Sequence, residues 1–128
     1  MSIKKVKGIQ YAEYNKGKSG NPNSYHAYNQ TYEINYYLVI GQKKKVTETW
    51  KFIDDHVDND GFCFQNSDGG IVIWLSPEKK VEALVHELIH AISFTCKQRG
   101  IQYDEDNDEH IAFLMSWLFR VFSIAIHT

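Results

Sequence analysis

One α+β domain is the fold this sequence predicts: a small mixed or antiparallel sheet packed on two helices. Three observations lead there. Short β-branched and aromatic runs, EINYYLVI at 33–40, GFCFQ at 61–65 and GIVIWL at 70–75, have the composition of strands. The last two flank Asn66-Ser67-Asp68-Gly69-Gly70, a hairpin signal in which Asp-Gly supplies the positive φ of a tight reversal. Two long apolar stretches with helical features follow, ending near Gly100 and Ile126. A chain of 128 residues with 43% hydrophobic and 14% aromatic content suits one domain, 1–128, with one core.

In chain order, residues 1–32 carry the weakest signal, with a strand expected over Val6–Tyr14. The Gly, Pro, Asn and Ser residues from Lys16 to Asn23 then read as a loop. Glu33–Ile40 is a strand. Thr47, Trp50, Phe52, Ile53 and Val57 recur at helical spacing, which predicts a helix over Lys44–Val57. Asp58-Asn59-Asp60-Gly61 is a turn signal leading into the hairpin. Ser76 as N-cap and Pro77 at the first helical position start the next helix, although Lys79 is not the acid a capping box uses. Gly100 closes it after Lys97 and Arg99, cations favourable to the helix dipole. The acidic stretch Asp104–Asp108 then opens a final helix to about Ile126.

The penultimate helix carries His86-Glu87-Leu88-Ile89-His90. At 3.6 residues per turn the two histidines stand one above the other, so both imidazoles can reach one tetrahedral Zn²⁺. Glu87 is rotated off that line and is free to accept a proton from a water whose pKa the metal lowers to about 7. The flanking Ala83, Leu84, Val85, Leu88, Ile89, Ala91 and Ile92 are uncharged. Three polar groups in such a helix require partners. Two satisfied core histidines are the alternative reading of the same pattern.

A zinc site needs at least a third protein ligand. Glu109 follows His90 by nineteen residues, at the start of the last helix, where a returning chain can bring it alongside. Ala112 and Ser116, one and two turns further on, are small enough to let two helices approach. Asp104, Glu105, Asp106, Asp108 and His110 compete for the same role, and geometry alone leaves the choice open.

HELIH followed by Asp108-Glu109-His110-Ile111-Ala112-Phe113-Leu114 resembles the gluzincin type of zinc metallopeptidase, in which a glutamate on a following helix completes the site. The block from Gly70 to Phe119 is similar to small phage-encoded metallopeptidases with a strand, a zinc helix and a glutamate helix in that order. The likeness spans about the C-terminal 40% of the chain. It implies a minimal zincin-like hydrolase with one Zn²⁺ held by His86, His90 and Glu109, and Glu87 as general base. It also implies a phage setting and a polypeptide substrate. It supplies no certain match for the group that stabilises the oxyanion; Tyr103, Tyr36, Tyr37 and His26 are the candidates. An extended substrate could add as a strand at GFCFQ or GIVIWL.

Other classes are bounded by composition. A net charge of −2 and two short lysine clusters, Lys4-Lys5-Lys7 and Lys43–Lys45, give no basic field for a nucleic acid. Two cysteines and an N-terminus without the apolar run of a signal peptide point to a reduced, cytoplasmic protein, in host cytoplasm if phage-encoded. IAFLMSWLFRVFSIAI is apolar on almost every side but short and charged at Arg120, which argues against a membrane span. Its stripe of Ile111, Leu114, Met115, Leu118, Val121, Phe122 and Ala125 is expected to face the core. Phe113, Trp117 and Phe119 form an outer face, either enclosed by the N-terminal region or used in a homodimer. Two functional alternatives remain beside the peptidase: an inactive zincin-like binding protein with a structural zinc, and hydrolysis of a non-peptide amide.

Overall fold

The computed structural model describes residues 3–6, 9–14, 23–44, 60–66, 68–78 and 80–126. Six strands form one sheet: β1 (Ile3–Val6), β2 (Ile9–Tyr14), β3 (Asn23–Asn29), β4 (Ile34–Ile40), β5 (Gly61–Gln65) and β6 (Ile71–Leu75). Two helices follow, α1 (Lys80–Arg99) and α2 (Asp108–Ile126), with one 3-10 turn, Glu105–Asn107, between them. The spatial order is β1-β2-β3-β4-β6-β5, antiparallel throughout except for the parallel pair β4 and β6. Among the described residues the fold is α+β, a mixed sheet with two helices, the class the sequence predicts.

β6 is buried at all five positions because it lies between β4 and β5 with side chains entering cores on both faces. On one face Leu38 and Ile73 join Leu84, Leu88 and Ile92 of α1 and Leu118 and Phe122 of α2. Their chain neighbours Val39 and Trp74 point the other way and are buried with Val72 beside Tyr37, Phe62 and Phe64. The Trp74 indole N–H donates to the Gly41 carbonyl at 2.9 Å, which satisfies the one polar atom of that side chain.

Several boundaries differ from the expected ones. The strand expected over Val6–Tyr14 is two strands, paired from Val6 and Ile9 outward as a hairpin. β3 is a full seven-residue strand, unassigned from sequence because NSYHAYN is polar; pairing on both sides by β2 and β4 holds it. α1 starts at Lys80, not at Pro77, since Pro77 and Glu78 form a turn and, among the described residues, the buried Ser76 hydroxyl has no hydrogen-bond partner. Its other end is as expected: Gly100 has φ +66° and the Ile101 N–H reaches back to the Cys96 carbonyl at 2.9 Å, closing the helix in a Schellman turn. The helix expected over Lys44–Val57 and the loop from Lys16 lie almost wholly outside the described residues.

The β5–β6 hairpin turns at Gly69, φ +89°, and the Gly70 N–H donates to the Asp68 carboxylate at 2.9 Å. Gln98 fastens this hairpin to the far end of α1, donating to Gln65 at 2.6 Å and to the Gly69 carbonyl at 2.9 Å. The same helix that bears the HELIH pentapeptide is thereby fixed to the edge of the sheet.

Candidate metal centre

α1 presents its apolar stripe, Leu84, Leu88, Ala91 and Ile92, to the sheet and turns His86 and His90 outward. The His86 side chain is 69% exposed and its ring meets that of His90 edge-on, with centroids 5.2 Å apart. Ligand atoms of His86, Glu87 and His90 all fall within 4.8 Å of one another. The i, i+4 spacing alone produces this convergence, because both histidines share one helical line.

Glu87 behaves differently from its neighbours. It is only 4% exposed, tucked between α1 and the start of β5, with its carboxylate 4.0 Å from the His86 ring nitrogen. Burial pushes its pKa above the usual glutamate range, and the two histidines pull partly the other way. Among the described residues no N–H or O–H donates to this carboxylate.

What makes room for it is Gly61. A Cβ placed there would stand 3.1 Å from Ala83 Cβ, 3.1 Å from Glu87 Cγ and 3.1 Å from its Oε2. The bare backbone at the first position of β5 is therefore the wall against which Glu87 rests. In the sequence Gly61 both closes a turn signal and opens the strand GFCFQ, and a glycine opening an apolar strand is also the mark of a close backbone approach. β5 is the last strand of the sheet, so this wall belongs to an edge.

The remaining site candidates do not converge with the three. Glu109, Asp108 and His110 are exposed in the first turn of α2, and among the described residues none joins His86, Glu87 and His90 in a ligand-distance group. Ala112 and Ser116 are exposed as well, so the face shared with Glu109 is not the one packed on α1. Leu114, Leu118 and Phe122 supply the buried face instead, which the expected stripe included. The acids before α2 serve its start: the Asp104 carboxylate accepts the Asp106 N–H at 3.0 Å, and the Asn107 side-chain amide donates to the Gln102 carbonyl at 2.8 Å.

No protein-family model, curated protein or solved structure matches the chain. The site is therefore interpreted from its own geometry.

Of the candidate oxyanion stabilisers, Tyr103 is half exposed, in the connection before α2. Tyr36 is removed from contention because it lies fully buried beneath α1. Its hydroxyl is 2.6 Å from Thr95 Oγ1, which itself donates to the Ala91 carbonyl, so Tyr36 is the donor. Tyr37 stacks on His26 at 5.0 Å on the sheet face opposite α1, and His26 is 2.6 Å from the Asn35 side chain. Neither reaches the histidine pair.

Cys63 and Cys96 are free, buried thiols whose pKa values burial raises. Among the described residues no helix is long and apolar enough to cross a membrane. Of the three aromatics expected on the outer face of the last helix, Trp117 is enclosed, its ring 5.7 Å from that of Tyr36 on β4, while Phe113 and Phe119 are exposed.

The donor chemistry fits zinc. Two imidazoles and a carboxylate are donors that zinc accepts, and His86, Glu87 and His90 are the residues that would form its site.

Proposed function

We propose that this chain is a zinc-dependent peptidase in which His86 and His90 hold the metal and Glu87 is the general base. The observation that carries the reading is the pairing of two exposed, convergent imidazoles with a buried carboxylate within 4.8 Å of both. By resemblance to gluzincins the third ligand would be Glu109; no residue of Asp104–His110 lies within ligand distance of the histidine pair, so that role requires the start of α2 to swing toward α1.

Zinc, when bound, polarises a carbonyl oxygen and makes a neighbouring water a stronger acid. Glu87 accepts the proton of the attacking water, its poor solvation against Gly61 making it a stronger base than an exposed glutamate. The same carboxyl then hands that proton to the departing amine nitrogen. A carboxyl beside open imidazoles favours this reading over a closed structural zinc, which has no use for an acceptor there.

β5 gives an extended polypeptide a place to lie. It is an edge strand that begins at the wall of the Glu87 pocket, so a substrate strand added to it would pass the catalytic carboxyl. Tyr103 is the candidate to meet the oxyanion. A cytoplasmic setting agrees with two free thiols, and the phage setting rests on resemblance alone.

The test is the Glu87→Gln variant assayed on an unstructured polypeptide. Zinc content should match the parent while turnover falls by about 10²- to 10⁴-fold, the range general base catalysis supplies. Undiminished turnover in that variant would refute the assignment of Glu87.

A further inference from the structure

A second site stands apart from the histidine pair. α2 and the turn joining β3 to β4 enclose a cleft of about 510 Å³, of the size that takes a small organic ligand. One wall is a line along α2: His110, Phe113, Trp117 and Arg120, spaced three, four and three residues, which puts them on a single face. The other is the turn around Tyr32.

That turn is built and held. The Asn29 side chain accepts the Tyr32 N–H at 2.9 Å, and Arg99 donates to the Tyr32 and Glu33 carbonyls, the latter at 2.9 Å. Glu33 is kept at φ +54°, the one positive φ among described non-glycine residues. Such a wall loses little freedom when a ligand arrives.

Arg120 gives the cleft its chemistry. It is the only charge from Ile111 to Ile126, it is exposed, and among the described residues no acid pairs with it. None of the side chains lining the cleft is acidic. Phe113, 70% exposed, and the edge of Trp117 supply an apolar surface beside this cation. A guanidinium matches a carboxylate in a two-point, charge-assisted contact. A phosphate dianion would call for a second cation or a helix N-terminus beside the first, and His110, at the α2 N-terminus, is ten residues and about 15 Å along the helix from Arg120, too far to share one phosphate with it.

We propose that this cleft binds a carboxylate carried on an apolar, aromatic-sized body, the carboxylate on Arg120 and the body between Phe113 and Trp117. Two sources share that chemistry: a free aromatic acid and the C-terminal residue of a polypeptide. The inference does not depend on the metal centre: none of His86, Glu87 and His90 lines the cleft, and His110, the candidate third ligand that does, takes no part in the proposed carboxylate and aromatic contacts.

The test is an NMR titration of the full chain, following the Trp117 indole N–H and the Phe113 amide. The probes are 3-phenylpropionate, 3-phenylpropanamide, and an acetylated Ala-Ala-Phe peptide with either a free or an amidated C-terminus. Each acid should bind at least about tenfold more tightly than its amide, the scale of a charge-assisted contact. Arg120→Gln should bring acid and amide level while leaving the spectrum of the folded protein intact. A peptide acid that outbinds phenylpropionate assigns the site to polypeptide C-termini, and equal binding assigns it to small acids. Equal affinity for acid and amide in the parent, acid binding unchanged in Arg120→Gln, or no shift at Trp117 and Phe113 would each overturn the proposal.

Discussion

α1 and α2 are nearly the same length, 20 and 19 residues, and lie on the same face of one sheet, yet their polar groups are organised differently. On α1 two histidines and a glutamate converge. On α2 a denser set of titratable residues, Asp104 to His110, does not join them. The difference is one of register and support. His86 and His90 share a line on one helix, and an adjoining strand edge holds Glu87 under them. The acids before α2 spread around a 3-10 turn and the first helical turn, where they cap and complement a helix N-terminus. Abundance of ligand-type residues is thus a poorer guide to a site than their periodicity.

The comparison would be broken most sharply by Glu109. If α2 contributes the third ligand, Glu109→Ala should weaken zinc affinity by at least about tenfold, measured by competition with a chelating dye, since removing even an outer partner of a metal ligand costs about 10- to 100-fold. Unchanged affinity would leave α2 outside the centre, and the same titration on Asp108→Ala and His110→Ala would then locate or dismiss a donor in that turn.

Gly61→Ala sharpens the role of the sheet edge. The new methyl must displace Glu87 or Ala83, at a cost of about 1–3 kcal/mol of stability by overpacking. Turnover should drop while zinc stays bound. Thermal unfolding and metal analysis on one sample separate the two effects, and full activity would show that Glu87 does not depend on this wall.

The buried carboxyl also carries a pH signature in the metal-free protein. Glu87 has a raised pKa when folded, so its protonated form is the one the fold favours. Its contribution to stability is complete below the ordinary glutamate pKa, and is lost as pH rises through the raised value. Metal-free Glu87→Gln, which cannot ionise, should therefore exceed the parent in stability at pH 7. The advantage should vanish near pH 4. Urea melts at the two pH values check this; a gain that persists at low pH would point to packing in place of charge.

The smallest effect belongs to Tyr36→Phe, which deletes one buried hydrogen bond to Thr95 and should cost about 1 kcal/mol without altering zinc content. A change in metal binding would show that the floor beneath α1 is coupled to the histidines above it.

How much of this was legible in the sequence follows from which forces acted locally. The pentapeptide, the Gly100 stop, the β5–β6 hairpin and the apolar stripe of α2 could be read because spacing and turn chemistry are written within a few residues. β3 could not, since its polar residues gain strand structure from neighbours on both sides. The start of α1 was misplaced because Ser76 and Pro77 imitate a cap while forming the turn before it. Which aromatic of α2 meets Tyr36 is not legible, because a helix apolar on most sides gives no cue to it. Gly61 at the head of an apolar strand signals a close approach, but its partner Glu87 is 26 positions away, and no local pattern encodes which residue that is.

The most direct measurement is zinc per chain by elemental analysis of the purified parent, His86→Ala and His90→Ala. The account requires one zinc in the parent and its loss in both variants. No zinc in the parent after loading, or equal zinc in all three, would contradict it and return the pentapeptide to the outer face of an ordinary helix.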